Sequence, residues 1–388
     1  MTVPTVQTVP TETAELTEMF AFGPERDELR ATVRRFLADR SPEPEVRRLM
    51  ETEDGYDPAV WRLMATQLGL QGLIVPERYG GAGSGCVELQ IACEEMGRAL
   101  LCAPFLSSAV LATSALLFAG DDAAAQRYLP GLADGSMIGT LAVTEESGSW
   151  AAGDVRTVAT PDGSGYRLAG EKLYVLDGTV ADLLLVVATT ERGPGVFAVA
   201  PDAPGLTRTA MATLDATRKQ ARLVLDDTPA TLVGEDGGAA GPLAAALDVG
   251  AAALAAEQAG GARRVLEMAV EYAKVREQFG RPIGSYQAIK HKCADMLLEV
   301  ESSTSAAYAA GWAIDGESAE IGVLASLAKA YCSEAYYHCA AENIQVHGGI
   351  GFTWEHPAHL YFKRATSTEI LLGSPRYHRE LLTRRLGI

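Results

Sequence analysis

The segment from residue 242 to residue 279 constrains the fold more than any other part of the chain. It is dominated by alanine and contains no internal proline, so it predicts one continuous helix, roughly 57 Å long at about 1.5 Å per residue. Gly250, Gly260 and Gly261 lie among the alanines, where a missing side chain lets a neighbouring backbone approach closely. Further helical patterns cover residues 285–313, 317–346, 357–366 and 376–386. Long antiparallel helices of this kind favour a four-helix bundle.

Two regions with other periodicities precede this segment. From Pro24 to about residue 130, apolar residues recur at helical spacing, as Leu29, Val33 and Phe36 do. From 137 to 234, short β-branched runs alternate with Gly, Pro and Asp turns, which is the pattern of a small antiparallel barrel or sandwich. Strands do not alternate with helices there, and this argues against a Rossmann domain.

The length of 388 residues exceeds what one compact core usually holds. We therefore expect an α+β multidomain fold with an N-terminal helical domain, a central antiparallel β-barrel or sandwich and a C-terminal four-helix bundle. The start of the chain is rich in Thr, Val, Pro and Glu and lacks the basic and apolar regions of a signal peptide. The expected bounds are 1–22 for a disordered tail, 23–134 for the helical domain, 135–240 for the β-domain and 241–388 for the bundle.

The formal net charge of −17 argues against nucleic acid or an anionic membrane as a partner, because both repel an acidic surface. No uncharged apolar run approaches the length of about 20 residues that a membrane span needs. An anionic ligand would need a local basic site. Residues 271–292 supply one, since five Lys and Arg against two Glu give this segment a net charge of +3.

The six cysteines form no C-x-x-C pair and no grouping with histidine that is typical of a metal site. Most lie within apolar helical patterns. This usage predicts buried free thiols, no bound metal and a reducing, cytoplasmic location.

Residues 275–296 read VREQFGRPIGSYQAIKHKCADM and join the end of the long helix to the next one through a tight turn. Glycine and proline at 280–284 break the helix between them. Arg276 and Arg281 carry a fixed charge on a planar fork that suits phosphate oxygens, and Gln287 adds a further hydrogen-bonding group. By spacing alone, a solvated helix–helix corner is an equally good interpretation.

The wording R-x-Q-F-G-x-P-I-x-x-[FY]-Q, followed by A-D-M, resembles the flavin-contacting corner of the acyl-CoA dehydrogenase family. Any one such block alone is a weak signal, but the resemblance covers nearly the whole chain in the family's order and spacing. The further blocks are GLIVPERYGGAGSG (72–85), EEMGRAL (94–100), LAVTEESGSW (141–150) and IQVHGGIGFTWEHPAHLYFKRA (344–365).

The resemblance implies an FAD-dependent acyl-CoA dehydrogenase of helix–β–helix architecture. It also implies an acyl-CoA substrate, an electron-transfer acceptor and a homo-oligomer or heteromer, because the family binds each flavin between two subunits. The residues implied to contact FAD or thioester within the subunit are Thr144, Ser149, Tyr174 and Ser374. Those implied to hold the pyrophosphate and adenosine of a partner's FAD are Arg276, Gln287, Gln345, Gly348 and Gly349.

The chain departs from the family's pattern around the flavin ring. Tyr174 stands where the family usually has tryptophan, and Leu176 replaces a threonine that contacts the flavin. Trp150 replaces an aspartate, and Glu146 replaces the proline after the Thr-Glu pair. The chain's own half of the flavin site is therefore less secure than its contribution to the partner's flavin.

The catalytic base is missing from both positions that the family uses. Dehydrogenation removes an α-proton while a hydride leaves the β-carbon, and the proton needs a carboxylate in a dry pocket. One family position, before the Gly-Thr of the C-terminal loop, is Leu372 here. The other lies on the long helix, 26 residues before Arg276, and is Gly250 here. Neither residue accepts a proton.

Three carboxylates are weak substitutes, and a structural role is favoured for each. Asp248 lies two residues from Gly250 and faces away from it by about 200° on a helix. Glu257 lies two turns beyond Gly250, and Glu369 lies three residues before Leu372. Arg364 replaces a family aspartate, and its expected partners are Glu355, Glu369 or a CoA phosphate.

Two hypotheses explain the missing base. In the first, the chain is one subunit of a heteromer whose partner carries the carboxylate, as in the actinobacterial members of the family that act on bulky steroid or polyketide-like acyl-CoAs. In the second, the chain acts alone with a displaced base such as Glu369 or on an unusually acidic substrate. Other flavin chemistry and a flavin-free scaffold remain as alternatives.

Overall fold

The computed structural model describes residues 22–388, and the predicted tail at 1–22 lies almost entirely outside them. An N-terminal group of helices comes first. Asp57 caps the third of them by accepting a hydrogen bond from the Ala59 N–H at 2.8 Å, and Gly69 ends it in the left-handed conformation. These helices are α1 (Pro24–Arg40), α2 (Glu43–Met50), α3 (Pro58–Leu68), α4 (Cys86–Ala99), a π-helix (Leu106–Ala112) that continues as α5 (Thr113–Phe118), and α6 (Asp122–Ala133).

A closed sheet follows the helices. Its strands are β1 (Gly139–Ala142), β2 (Val158–Asp162), β3 (Gly165–Leu176), β4 (Leu183–Thr190), β5 (Gly193–Val199), β6 (Leu206–Ala210) and β7 (Gln220–Val233). Neighbouring strands run in the order β4–β2–β3–β7–β5, and β5 pairs with β4 again, so the strands form a small barrel. The sheet departs from the predicted antiparallel pattern in two pairings, because β4 runs parallel to β1 and to β2, whereas it pairs antiparallel with β5. Crossover connections permit this pairing, and they leave no local trace in the sequence.

Helices return in the C-terminal part: α7 (Ala240–Val275), α8 (Gln287–Asp315), α9 (Ile321–His347), α10 (Ala358–Ile370) and α11 (Pro375–Leu386). Between α7 and α8 lies a two-stranded hairpin, β8 (Glu277–Gln278) and β9 (Arg281–Pro282). The expected order of helical domain, β-domain and helical bundle is confirmed. The long helix is confirmed as well, but it ends at Val275 because the backbone becomes extended at the next residue.

Helix α7 is largely buried among the other elements, and its glycines let the backbone of a neighbouring helix pack closely against it. A Cβ on Gly260 would lie 1.9 Å from the backbone carbonyl oxygen of Glu94 in α4. A Cβ on Gly97 would lie 2.0 Å from the backbone carbonyl oxygen of Glu257. The two backbones therefore touch at these glycines. Of the described helices, α7 alone has the length and apolar composition to cross a membrane, and its central residues 251–256 are buried in the protein core.

Candidate active site

The corner between α7 and α8 presents polar side chains to solvent. Phe279 and Gly280 turn the β8–β9 hairpin with φ angles of 54° and 75°, and Phe279 is 94% exposed. Arg276 and Gln287 are exposed as well. Within residues 22–388, neither side chain has an ion pair or a hydrogen bond. The predicted phosphate-binding groups are thus available to a molecule outside this chain.

The turn after α9 exposes bare backbone. Gly348 has a φ of 61°, which residues with side chains rarely adopt. A Cβ on Gly349 would meet nothing within 4 Å, and its φ is not in the left-handed region. Nothing in the described part of the chain requires glycine at 349, and its backbone is open to the approach of another molecule. Gln345, just before the turn, is exposed and has no side-chain hydrogen bond within residues 22–388.

The corner and the glycine turn lie side by side. The Tyr272 ring of α7 stacks on the His347 ring at the end of α9, with centroids 4.3 Å apart and 28° between the planes. Arg276 is one helical turn beyond Tyr272, and its backbone N–H donates to the backbone carbonyl oxygen of Tyr272 at 2.9 Å. The structure therefore brings the end of α7, which precedes Arg276, next to the end of α9, which precedes Gly348.

Two hydroxyls assigned to the chain's own flavin, those of Thr144 and Ser149, are already engaged within the chain. The Thr144 hydroxyl donates to the Leu173 oxygen at 2.5 Å, and the Ser149 hydroxyl donates to Asp154 at 2.6 Å. The Tyr174 ring is 40% exposed on a residue with a φ of 58°, and its N–H contacts the Met211 sulfur at 3.4 Å. Hydroxyls that are satisfied within the chain offer less to a ligand than the free groups at the corner.

A buried ion pair, which the sequence analysis missed, fixes the segment just after β1 that contains Thr144. The Lys172 ammonium donates to Glu145 at 2.7 Å and to the Val143 oxygen at 3.0 Å. Burial lowers the pKa of Lys172 to about 8. Burial acts to raise the pKa of Glu145, but hydrogen bonds from Lys172 and Thr157 outweigh it and lower that pKa. Lys172 has the same strand parity as the buried Leu168, and a lysine on the core side of a strand was the signal available.

The two family positions for the base meet in space. A Cβ on Gly250 would lie 3.2 Å from a methyl group of Leu372 and 2.6 Å from a methyl group of Leu111 in the π-helix. Leu372 is only 3% exposed and has a φ of 61°. Two positions from separate elements thus converge on one point, as expected if the active site of the family lies there. Apolar atoms occupy that point in this chain.

The loop that carries Leu372 is held by buried side chains. The Lys329 ammonium donates to the backbone carbonyl oxygens of Glu369 and Gly373, both at 3.2 Å. Burial lowers the pKa of Lys329 to about 7. The His378 ring bonds the Leu372 oxygen at 3.0 Å through Nε2. Ser374, predicted to contact cofactor, caps α11 by accepting from the Tyr377 N–H at 3.2 Å.

The possible substitute bases differ in their surroundings. Asp248 pairs with Arg385 at 2.8 Å, and Glu257 pairs with Arg218 at 2.6 Å. These two carboxylates are committed to structural contacts. Glu369 is half-buried and has no side-chain hydrogen bond or ion pair within residues 22–388, and burial raises its pKa.

The expected partners of Arg364 were wrong. Its guanidinium is 2% exposed and pairs with Asp215 at 2.6 Å and with Glu257 at 2.8 Å. It contacts neither Glu355 nor the carboxylate of Glu369. Because Asp215 lies in the β-domain and Glu257 on α7, Arg364 ties three elements together in the interior and is not available to a CoA phosphate.

Comparison with known proteins decides the family. Residues 23–136, 140–228 and 240–387 match the acyl-CoA dehydrogenase N-terminal, middle and C-terminal domains, respectively. The chain is 38% identical over 353 residues to acyl-CoA dehydrogenase IpdE2 of Mycobacterium tuberculosis, covering 91% of this chain and 94% of the relative. The chain belongs to the acyl-CoA dehydrogenase family.

Two solved structures agree with this assignment. A variant of the steroid ACAD "Tcur3481-Tcur3483" superposes with a TM-score of 0.84 and 34% identity, covering 94% of this chain and 98% of that one. The ChsE4-ChsE5 complex from Mycobacterium tuberculosis gives a TM-score of 0.86 and 31% identity, with coverages of 95% and 98%.

Acyl-CoA dehydrogenases are oxidoreductases that act on the CH–CH group of acyl-CoA, and their cofactor is FAD. When bound, FAD accepts the hydride that leaves the substrate. The groups present suit a dinucleotide: a free guanidinium at Arg276 matches phosphate oxygens, and the open backbone at Gly348 and Gly349 accommodates their close approach.

Proposed function

We propose that this chain is one subunit of a heteromeric acyl-CoA dehydrogenase whose partner carries the catalytic carboxylate. The observation that carries the proposal is the contact between Gly250 and Leu372. Both base positions of the family meet there, and the space between them is filled by methyl groups of Leu372 and Leu111. No group at this point can take the α-proton.

In the proposed enzyme this chain supplies the phosphate-binding half of a shared flavin site. Arg276 would bind pyrophosphate oxygens, and the N–H groups at Gly348 and Gly349 would bind the same anion from the other side. Gln287 and Gln345 would add hydrogen bonds. Support comes from the contrast in this chain: the groups at the corner are free, whereas the hydroxyls of Thr144 and Ser149 are engaged internally.

Relatives of known structure support the pairing and point to a substrate class. One is described as the ChsE4-ChsE5 complex, and the other, the steroid ACAD, carries two subunit names. We extend to this chain the same arrangement and a bulky, steroid-like acyl-CoA. We also propose a separate electron-transfer acceptor, a cytoplasmic location, and domains bounded at 23–134, 135–240 and 241–388.

Stand-alone activity with Glu369 as a displaced base is the second candidate. The specific observation in its favour is that this carboxylate lacks an ion pair within residues 22–388 and has a pKa raised by burial, as a general base in a dry site requires. If this candidate holds, purified protein alone bleaches its flavin rapidly with an acyl-CoA, and Glu369→Gln abolishes the bleaching. The exposed Glu355→Gln serves as the control and should have no effect.

Expression alone and together with a base-bearing homologue tests the main proposal. We expect flavin colour and acyl-CoA dehydrogenase activity in the co-expressed complex and no rapid bleaching by this chain alone. Rapid bleaching by the isolated chain would contradict the proposal. A colourless complex would instead favour a scaffold without cofactor.

A further inference from the structure

We propose that the rings of Tyr272, His347 and His356 form an aromatic stack. This stack positions the two parts of the proposed phosphate-binding site, which are Arg276 and the glycine turn at 348–349. The stack would fix the spacing between Arg276 and the glycine turn at 348–349. This inference rests on the proposed function, because it concerns the same shared flavin. The three rings would touch no ligand and would act only through the groups that do.

The stack links three separate elements. The Tyr272 ring, on the last turns of α7, lies 4.3 Å from the His347 ring at the end of α9. The centroid of the His347 ring lies in turn 4.2 Å from that of the His356 ring, which precedes α10, and these two rings are tilted by 43°. Arg276 follows Tyr272 by one helical turn, and Gly348 follows His347 directly. The contact between Tyr272 and His347 therefore joins the helix end beside Arg276 to the residue just before the glycine turn.

Hydrogen bonds define the tautomers, and burial favours the neutral form of both imidazoles. His347 Nδ1 lies 2.8 Å from the backbone carbonyl oxygen of Asn343, so Nδ1 carries a proton and donates a hydrogen bond to that oxygen. His356 Nδ1 accepts from the Ala358 N–H at 3.2 Å, so its proton is on Nε2. Burial lowers the pKa of His347, and burial together with His347 lowers the pKa of His356 to about 4. Near neutral pH neither ring is charged, and the stack is preserved.

A phosphate-binding site of this kind depends on the distance between the guanidinium and the backbone N–H groups. A guanidinium and backbone N–H groups bind one pyrophosphate together only if each lies within hydrogen-bonding distance of its own oxygen. Arg276 is on an exposed corner, and its side chain has no hydrogen-bonding partner within residues 22–388, so the position of the guanidinium depends on its backbone at the end of α7. The glycine turn depends in the same way on the end of α9. Tyr272 and His347 join these two helix ends.

The test measures FAD affinity of the assembled flavoprotein, with its partner subunit where one copurifies. His347→Leu removes the ring, whereas His347→Phe keeps a ring that can stack. We expect His347→Leu to weaken FAD binding about tenfold, from the loss of two aromatic contacts, and His347→Phe to stay within about twofold of the wild type. His338→Leu on the exposed face of α9 is the matched control and should leave the affinity unchanged.

A double-mutant cycle with Arg276→Met separates positioning from general destabilisation. If the stack acts through Arg276, the double variant Arg276→Met/His347→Leu binds FAD no more weakly than Arg276→Met alone. Fully additive losses, or wild-type affinity in His347→Leu, would overturn the stack and leave the proposed function standing. Unchanged affinity in Arg276→Met, or a complex that binds no FAD at all, would overturn both. Urea unfolding of the flavin-free protein checks that the variants remain folded.

Discussion

Gly349 is the residue at which the needs of the chain and the needs of a ligand separate most clearly. Its φ is ordinary and its Cβ position is open, so alanine fits the protein without strain. Gly348, in contrast, needs its positive φ for the turn itself. We therefore expect Gly349→Ala to change the free energy of unfolding by less than about 0.5 kcal/mol.

The same substitution should weaken FAD binding by roughly tenfold, because a methyl group enters the space where a phosphate must approach the backbone. Denaturant unfolding and FAD titration of the assembled protein measure the two effects. Gly241→Ala, at the far end of α7 and also facing open space, is the control and should not affect FAD. Equal FAD affinity in both variants would show that the glycine turn binds no phosphate.

Lys329 gives the protein a pH dependence that the net charge does not reveal. Its pKa is lowered from 10.5 to about 7 by burial, so between these values the unfolded chain binds a proton that the folded chain lacks. The free energy of unfolding therefore rises with pH across that window through this group. Below about pH 7 the lysine is charged in both states, and its contribution no longer varies.

We expect Lys329→Met to reduce the slope of unfolding free energy against pH by up to about 1.4 kcal/mol per pH unit between pH 7 and 10. Urea unfolding at several pH values measures the slope. Lys274→Met, at an exposed position of α7, is the control and should keep the wild-type slope. An unchanged slope in Lys329→Met would mean that the lysine is not buried in the folded state.

At the scale of elements, the buried ion network of Arg364 holds the β-domain against the bundle. Removing the guanidinium leaves the buried Asp215 carboxylate without an ion-pair partner within residues 22–388, whereas Glu257 keeps its pair with Arg218. Breaking a buried pair in this way costs about 3–5 kcal/mol, and we expect this loss for Arg364→Met. Arg364→Lys keeps the charge but lacks the planar fork, so an intermediate loss is expected.

Equilibrium unfolding of both variants measures the effect of the Arg364 network. Arg376→Met, which removes an exposed pair with Glu380, should cause no measurable change. A loss in Arg364→Met no larger than this control would contradict the role of the network in joining the domains.

The elements that could be predicted from sequence are those set by local pattern. The long helix was expected over residues 242–279 and spans Ala240–Val275, so its predicted ends were wrong by only a few residues. The parallel pairing of β1, the π-helix and the partners of Arg364 were not foreseen. Each depends on contacts between distant parts of the chain; Asp215 and Glu257 are 149 and 107 residues from Arg364.

The candidate site divides along the same line. The motif assigned Arg276, Gly348 and Gly349 to phosphate binding, and this stays a prediction; the structure adds that the two helix ends beside them meet through a ring contact. The resemblance also assigned the base to positions 250 and 372, and only the structure shows that these two residues lie side by side. Lys172 and Lys329 were missed because lysine is normally exposed, and burial of a lysine is decided by the whole fold.

At the scale of the whole molecule, the two sides of the proposed flavin site are unequal. The side proposed to bind a partner's flavin combines free polar groups with a local charge of +3 in a chain of net charge −17. The chain's own side has engaged hydroxyls and lacks the threonine at Leu176. An enzyme built from two such unequal chains would need only one complete site, formed by this chain's corner and the partner's β-domain.

This inequality predicts opposite outcomes for two substitutions in the heteromeric complex. Arg276→Met should lower the FAD content and turnover, because it removes the only guanidinium assigned to the shared pyrophosphate. Tyr174→Ala should leave both unchanged, since the ring of the shared flavin would lie against the partner's β-domain. Flavin absorbance per complex and steady-state turnover measure the two effects. The reverse pattern, with turnover sensitive to Tyr174 and indifferent to Arg276, would mean that this chain holds its own flavin and needs no partner to complete the site.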